Sequence, residues 1–217
     1  MMDISQALES TLLKADTKPE QVRRLCEEAI ELQVVGVCVP PYYVKDAVRI
    51  LTGSGVLTVS VGGFPMGYQN SASKIEDMKR IIQDGADEVD VVAPIAAIKA
   101  GHWTYVDNQV KALAQMAHLK DKPIKLIIET GLLTRDEIKQ VCELAVEARV
   151  NYIKTSTGML GEGPTPEDIR FLKSILPADM QIKASAGIRT FDQAKAMVEA
   201  GANRIGTSSA AAILAGH

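Results

Sequence analysis

A single-domain α/β protein, a (β/α)8 TIM barrel, is the architecture expected from this chain, and three features point to it. Short apolar runs at residues 34–39, 56–61, 87–92, 124–128, 151–155, 180–184 and 203–207 alternate with longer amphipathic segments. The runs are close to continuously apolar, as strands are when helices cover the sheet, and that pattern belongs to parallel sheets. One boundary also recurs: Asp84-Gly85-Ala86-Asp87-Glu88-Val89-Asp90-Val91-Val92, Ala200-Gly201-Ala202-Asn203-Arg204-Ile205-Gly206-Thr207, and Glu147-Ala148-Arg149-Val150-Asn151-Tyr152-Ile153-Lys154. In each, a helix ends near a small or Gly residue and a strand follows within a few positions, Gly being the usual residue in the left-handed helix stop.

Helices are expected between the runs, at residues 19–32, 41–51, 71–84, 103–119, 134–148, 166–176 and 191–200. They carry apolar residues three and four apart, as in Val22, Leu25, Cys26, Ala29 and Ile30, which gives each helix one core-facing stripe. Pro19 and Pro166 suit first-turn positions, and Thr165 suits the cap before the second. An eighth strand, at residues 6–10, is only weakly written. Eight strands would close a barrel, whereas seven would permit an open doubly wound sheet. No Gly-x-Gly-x-x-Gly follows the first strong strand, which argues against a dinucleotide-binding fold. The length of 217 residues suits one barrel, 47% of the chain is hydrophobic, and no linker-like segment divides it, so residues 1–217 read as one domain.

Composition removes several function classes. The formal net charge is −3 with no basic block, so a nucleic-acid partner is not expected. Met1-Met2-Asp3-Ile4-Ser5-Gln6 is not a basic segment followed by an apolar one, and no apolar run approaches the ~18 residues that cross a bilayer. Cys26, Cys38 and Cys142 are scattered and odd in number, and His102, His118 and His217 lack metal-ligand spacing. The expectation is a cytoplasmic enzyme with neither metal nor cofactor.

Three strands hold an ionisable residue where an apolar one belongs: Asp90, Lys154 and Lys183. Charges inside a barrel are costly unless paired, so one reading is a structural salt bridge. All three, however, are expected near the C-terminal ends of their strands, where barrel active sites lie. Lys125, at the start of its run, is expected to face the bottom of the barrel without a chemical role. Two lysines and a carboxylate suit amine catalysis. An ordinary lysine, with a pKa near 10.4, is almost wholly protonated at neutral pH. A second ammonium and partial desolvation both disfavour the charged form. A neutral amine can attack an aldehyde to form an imine, which then draws electrons from an adjacent C–C bond, while the carboxylate relays protons.

Anion-binding loops are expected next. Residues 203–207 run directly into Ser208 and Ser209, and Ser185-Ala186-Gly187-Ile188-Arg189 offers backbone donors in the preceding loop. The loops after the last two strands are the usual phosphate site of such barrels; ordinary Ser capping and a Gly turn would look the same. The Gly-rich stretches 62–67 and 158–164 rim the site or serve as plain turns. Cys38, in an apolar run, reads as inert core, and His102 and Trp103 as helix-boundary residues.

Over nearly its whole length the chain resembles the deoxyribose-phosphate aldolases, a class I family. The resemblance lies in residues 85–92, Ile127-Ile128-Glu129-Thr130-Gly131, Ile153-Lys154-Thr155-Ser156-Thr157-Gly158, Lys183-Ala184-Ser185-Ala186-Gly187-Ile188-Arg189-Thr190, Gly63-Phe64-Pro65 and Gly206-Thr207-Ser208-Ser209. It implies Lys154 as the Schiff-base residue, Lys183 as the second lysine that disfavours the ammonium form of the first, and Asp90 as the proton relay. It implies Gly187, Ser208 and Ser209 around a phosphate, and Thr11, Cys38, Thr157, Ala186 and Gly206 at substrate positions. Two positions depart from the family pattern. Glu9-Ser10-Thr11 stands where Asp-His-Thr is usual, so Glu9 is expected to reach a substrate hydroxyl with a longer side chain. Ala186-Gly187 replaces Gly-Gly, which adds a methyl to the phosphate loop. The implied reaction is reversible cleavage of 2-deoxy-D-ribose 5-phosphate to acetaldehyde and D-glyceraldehyde 3-phosphate, by a homodimer or homotetramer. Alternatives are the same chemistry on another aldehyde or sugar phosphate, or a barrel that only binds sugar phosphates.

Overall fold

Eight strands close into a parallel barrel in strict chain order. The computed structural model describes residues 4–216, so the expectations attached to the first residues and to His217 lie outside the described part. The strands are β1 (Leu8–Thr11), β2 (Gly36–Val39), β3 (Leu57–Gly62), β4 (Glu88–Val92), β5 (Ile124–Ile127), β6 (Tyr152–Lys154), β7 (Gln181–Ser185) and β8 (Arg204–Thr207). The helices are α1 (Pro19–Glu31), α2 (Val44–Leu51), α3 (Ser71–Gln83), α4 (Ile95–Lys99), α5 (Trp103–His118), α6 (Arg135–Glu147), α7 (Pro166–Ile175), α8 (Phe191–Glu199) and α9 (Ala210–Ala215).

The weakly written first strand closes the barrel. Glu9 pairs with Gly36 on one side and with Gly206 on the other. Its pattern is poor because the strand has four residues with a carboxylate among them, and because residues 5–7 form a 3-10 turn rather than strand. The expected helix at 41–51 is divided: Pro41–Tyr43 is a 3-10 turn and α2 begins at Val44. The five-residue α4 is too short to show a helical period.

The recurrent helix stops are built as expected. Gly85 and Gly201 have φ of 106° and 116°, and Arg149 occupies the same left-handed position at φ 59° without being Gly. Thr165 accepts the Asp168 N–H at the start of α7, with Pro166 in the first turn.

Alternate residues of a barrel strand face opposite ways. Val89 and Val91 of β4, Leu126 of β5, Ile153 of β6 and Ile182 and Ala184 of β7 join the main core between sheet and helices. Cys38, Val59 and Val61 form a separate small apolar cluster. Glu9, Asp90, Lys125 and Lys183 are fully buried with them, and Glu88 and Lys154 nearly so. The near-continuous apolar runs are thus helix-facing residues interrupted by inward charges.

Candidate active site

The charges of the barrel interior meet at one carboxylate. Asp90, in the middle of β4, accepts from Lys154 Nζ (2.8 Å) and Lys183 Nζ (2.7 Å) on Oδ2, and from Lys125 Nζ (2.9 Å) on Oδ1. Lys183 also donates to Glu9 Oε2. Lys125 pairs with Glu88 and lies 3.6 Å from Glu9 Oε1, and Arg204 lies 3.6 Å from Glu88. Register explains the convergence: Asp90 stands beside Lys125 across β4–β5, and Lys154 beside Lys183 across β6–β7. Lys154 is the last residue of a three-residue strand, which carries its amine towards the C-terminal mouth.

Burial and charge oppose each other in this cluster. Burial alone would raise Asp90, but Lys125, Lys154 and Lys183 hold its carboxyl well below the ordinary range. Burial would likewise raise Glu9, and Lys125 and Lys183 lower it instead. Burial would lower Lys183, but Asp90 and Glu9 keep its ammonium above the usual lysine value. Lys125 is held up in the same way by Asp90, Glu9 and Glu88 against the same burial penalty. Such a network stabilises only while its members are paired, because a lone buried charge has no solvent to answer it.

Above the cluster lies a cavity of about 330 Å³ at the C-terminal ends of β1, β6, β7 and β8. Thr11, Lys154, Thr157, Ala186, Gly187, Gly206 and Ser208 line it, with Lys14 and Arg189 as further cations and no Asp or Glu among the lining residues. A side chain at Gly206 would collide with Ser185 Oγ and Lys183 Cε, so only Gly leaves room there. Ala186 has φ 83° and Gly187 φ 75°, so the methyl at 186 sits on a left-handed backbone that L-residues disfavour.

Several expectations need correction. Glu9 does not line the cavity; it is fully buried beneath it, with its carboxylate on Lys183 and near Lys125. Lys125 is not a bystander at the bottom. A lysine stem reaches about 6 Å, close to two residues of strand rise, so an amine rooted low in β5 arrives at Asp90. Cys38 is not among the residues lining the cavity; burial pushes its thiol up to about 11, against the pull of Lys183. Ser209 also lies outside the lining, and its N–H is already given to Thr207 Oγ1.

Glu129 stands in a motif of the family resemblance, but the sequence assigns it no role. It is fully buried just after β5, in a left-handed conformation (φ 53°, ψ 65°), and accepts the Thr157 N–H on Oε2. Its position in an otherwise apolar run, Ile127-Ile128-Glu129, was the available signal.

A closed parallel barrel with an amine cluster under a cavity at its C-terminal face is the layout of a (β/α)8 enzyme. The chain matches the DeoC/LacD family aldolases over residues 2–216. It is 43% identical over 217 residues to the deoxyribose-phosphate aldolase of Thermococcus gammatolerans, covering 99% of this chain and 96% of that one. With the Staphylococcus carnosus deoxyribose-phosphate aldolase the identity is 39% over 215 residues, covering 99% and 97%. The solved tetrameric structure of deoxyribose phosphate aldolase from Aeropyrum pernix superposes with a TM-score of 0.91 at 30% identity, covering 98% of this chain and 89% of that one. The chain belongs to the DeoC/LacD aldolase family.

Proposed function

We propose that this chain is a class I aldolase that reversibly cleaves 2-deoxy-D-ribose 5-phosphate to acetaldehyde and D-glyceraldehyde 3-phosphate, with Lys154 forming the Schiff base. One observation carries the assignment of the nucleophile: of the three lysines bonded to Asp90, Lys154 is the one that also lines the cavity.

The Lys154 amine attacks C1 of the open-chain sugar, and the carbinolamine loses water to give the imine. A base removes the proton of the C3 hydroxyl, the C2–C3 bond breaks, and its electrons pass into the iminium to leave an enamine. D-Glyceraldehyde 3-phosphate departs; protonation of the enamine carbon and hydrolysis release acetaldehyde. Asp90, bonded to Lys154, is the relay for these protons. In formal charges, Lys125, Lys183 and Arg204 balance Glu9, Glu88 and Asp90, so the surrounding network stays neutral when Lys154 acts as an amine. The scheme requires neither metal nor cofactor.

Phosphate is the anion that suits the cavity, since Lys14 and Arg189 supply positive charge at a wall free of carboxylates. Gly187 and Ser208 are the backbone and hydroxyl donors assigned to it. A barrel that only bound sugar phosphates would have no use for a lysine placed between a carboxylate relay and the cavity. Among the described residues no helix is long and apolar enough to cross a membrane. This reading further takes residues 1–217 as one unit, a cytoplasmic location, and a homo-oligomer, as described for the Aeropyrum pernix relative.

The test is borohydride reduction in the presence of deoxyribose phosphate, followed by peptide mass analysis. Label should appear on Lys154, and Lys154→Ala should lose both label and cleavage. Label elsewhere would remove the assignment.

A further inference from the structure

The exit of β5 grips the exit of β6 through three consecutive residues. Ile128 N–H donates to the Lys154 carbonyl (3.0 Å) and Thr130 N–H to the Thr155 carbonyl (2.8 Å). Between them, Glu129 Oε2 accepts the Thr157 N–H (3.0 Å). Two of these contacts are ordinary backbone pairing. The third uses a fully buried carboxylate on a residue held at φ 53°.

Both features are costly. A non-Gly residue disfavours the left-handed region, and a buried carboxylate needs donors in place of water. Glu129 receives one from Thr157, while Oε1 has no hydrogen-bond partner among the described residues. Strain of this kind persists where the surroundings enforce it and clusters at functional sites. Here the backbone starts the 3-10 turn Thr130–Leu132, with the Glu129 carbonyl accepting the Leu132 N–H (3.0 Å), while the carboxylate is turned to Thr157. Thr157, Gly158 and Met159 line the cavity beside Lys154, and Thr157 Oγ1 in turn accepts the Met159 N–H (3.1 Å). Fixing the Thr157 peptide therefore fixes the wall that faces the attacking amine.

We propose that Glu129 is a positioning residue for the aldol reaction: its carboxylate orients the Thr157 peptide and so holds the β6–α7 loop against substrate bound at Lys154. The inference rests on the Schiff-base reading above. Small displacements of a reacting partner cost rate, so the effect should fall on kcat more than on KM.

Two variants separate positioning from a purely structural role. Glu129→Gly removes the carboxylate but suits the left-handed backbone, so folding is favoured; Glu129→Gln keeps an oxygen able to accept the Thr157 N–H. Thermal unfolding, kcat and KM for deoxyribose phosphate, and borohydride trapping of acetaldehyde on Lys154 are measured for both and for the native chain. The expected result is a Glu129→Gly protein that unfolds no more easily than the native one yet has a kcat lower by about tenfold or more, with substantial recovery in Glu129→Gln. Native activity in Glu129→Gly would overturn the proposal, as would a Glu129→Gln variant no better than Glu129→Gly. If Glu129→Gly does not fold, Glu129→Gln decides: near-native kcat supports the proposal and a loss matching a dead enzyme overturns it. An unlabelled Lys154 in the native protein would instead strike the functional reading itself.

Discussion

Lys154 and Lys183 share a single carboxylate oxygen: both amines bond Asp90 Oδ2, at 2.8 and 2.7 Å. The two nitrogens therefore stand no farther apart than those two bonds laid end to end. Yet only Lys154 reaches the cavity, while Lys183 is fully buried beneath it and held as a cation by Asp90 and Glu9 despite its burial. One lysine faces the cavity and its neighbour supplies a fixed charge.

Replacing that fixed charge should damage the chemistry without altering the cavity wall. Lys183→Met would leave Glu9 and Asp90 each short of a partner, and Lys154 would be drawn into balancing them. We expect kcat to fall by about 10²-fold or more, with KM changed much less, and borohydride labelling of Lys154 to slow in parallel. Breaking a buried ion pair from one side should also cost about 3–5 kcal/mol in denaturant unfolding. A variant equally slow in labelling but with a strongly raised KM would place Lys183 in contact with substrate instead.

Glu9 should behave as part of the barrel's foundation and not as a substrate ligand. In Glu9→Gln we expect KM within about twofold of native, since uniform binding contacts would be untouched, and a clear loss of unfolding free energy. The pH dependence has a definite sign. The carboxyls of Glu9 and Asp90 are both lowered in the folded state, so their stabilisation is fully present above the ordinary values of 4.5 and 3.8 and is lost as pH falls through the lower folded values. Acid unfolding followed by circular dichroism should therefore be less steep in Glu9→Gln than in the native chain. An unchanged acid limb together with a raised KM would return Glu9 to the substrate.

How far the sequence reveals all this depends on the kind of signal. Helix-facing apolar residues and the Gly85 and Gly201 stops are local patterns, so seven strands and seven helices can be read directly. Asp90, Lys154 and Lys183 stand out because each interrupts an apolar strand. Lys125 interrupts its strand in the same way, but position along a strand says where a backbone lies and not where a long side chain ends. Glu9 escapes for the converse reason: family motif and residue number fix its strand, whereas its charge is decided by Lys125 and by Lys183, the latter 174 positions away. Glu129 depends on a left-handed φ and a contact with Thr157 across two strand exits, neither of which a one-dimensional pattern carries.

Ala186 offers a substitution that should improve the protein. Its φ of 83° costs a residue with a Cβ about 1–2 kcal/mol, part of which Gly gives back through its freer unfolded chain. Its methyl also faces Gly158, with which a further side chain would come into contact. Ala186→Gly is expected to leave unfolding free energy unchanged or raised by up to about 1 kcal/mol. Because Ala186 lines the cavity beside Gly187, the KM for deoxyribose phosphate should fall while kcat stays close to native. A higher KM would mean that the methyl packs against substrate and that this loop is shaped for a different acceptor.

Lys74 predicts a pH effect at the opposite end of the scale, outside the active site. This α3 lysine is fully buried, and its amine donates to the Val92 carbonyl at the end of β4 and to Gln109 Oε1 of α5, each at 2.7 Å. Burial lowers its pKa from 10.5 to about 8. The neutral amine still has hydrogens for both acceptors, so deprotonation relieves the buried charge without losing either bond. Between pH 8 and 10.5 the unfolded chain binds more protons at this site than the folded one, and stability must rise with pH through that window. The gain should approach about 3 kcal/mol, at 1.36 kcal/mol per pKa unit. Other groups titrate in the same range, so the quantity to follow is the difference in unfolding free energy between the native chain and Lys74→Met, in urea at pH values spanning the window. That difference should grow in favour of the native chain as pH increases. If it stays flat, folded Lys74 holds its proton as tightly as it does in the unfolded chain, and burial carries no electrostatic penalty at this position.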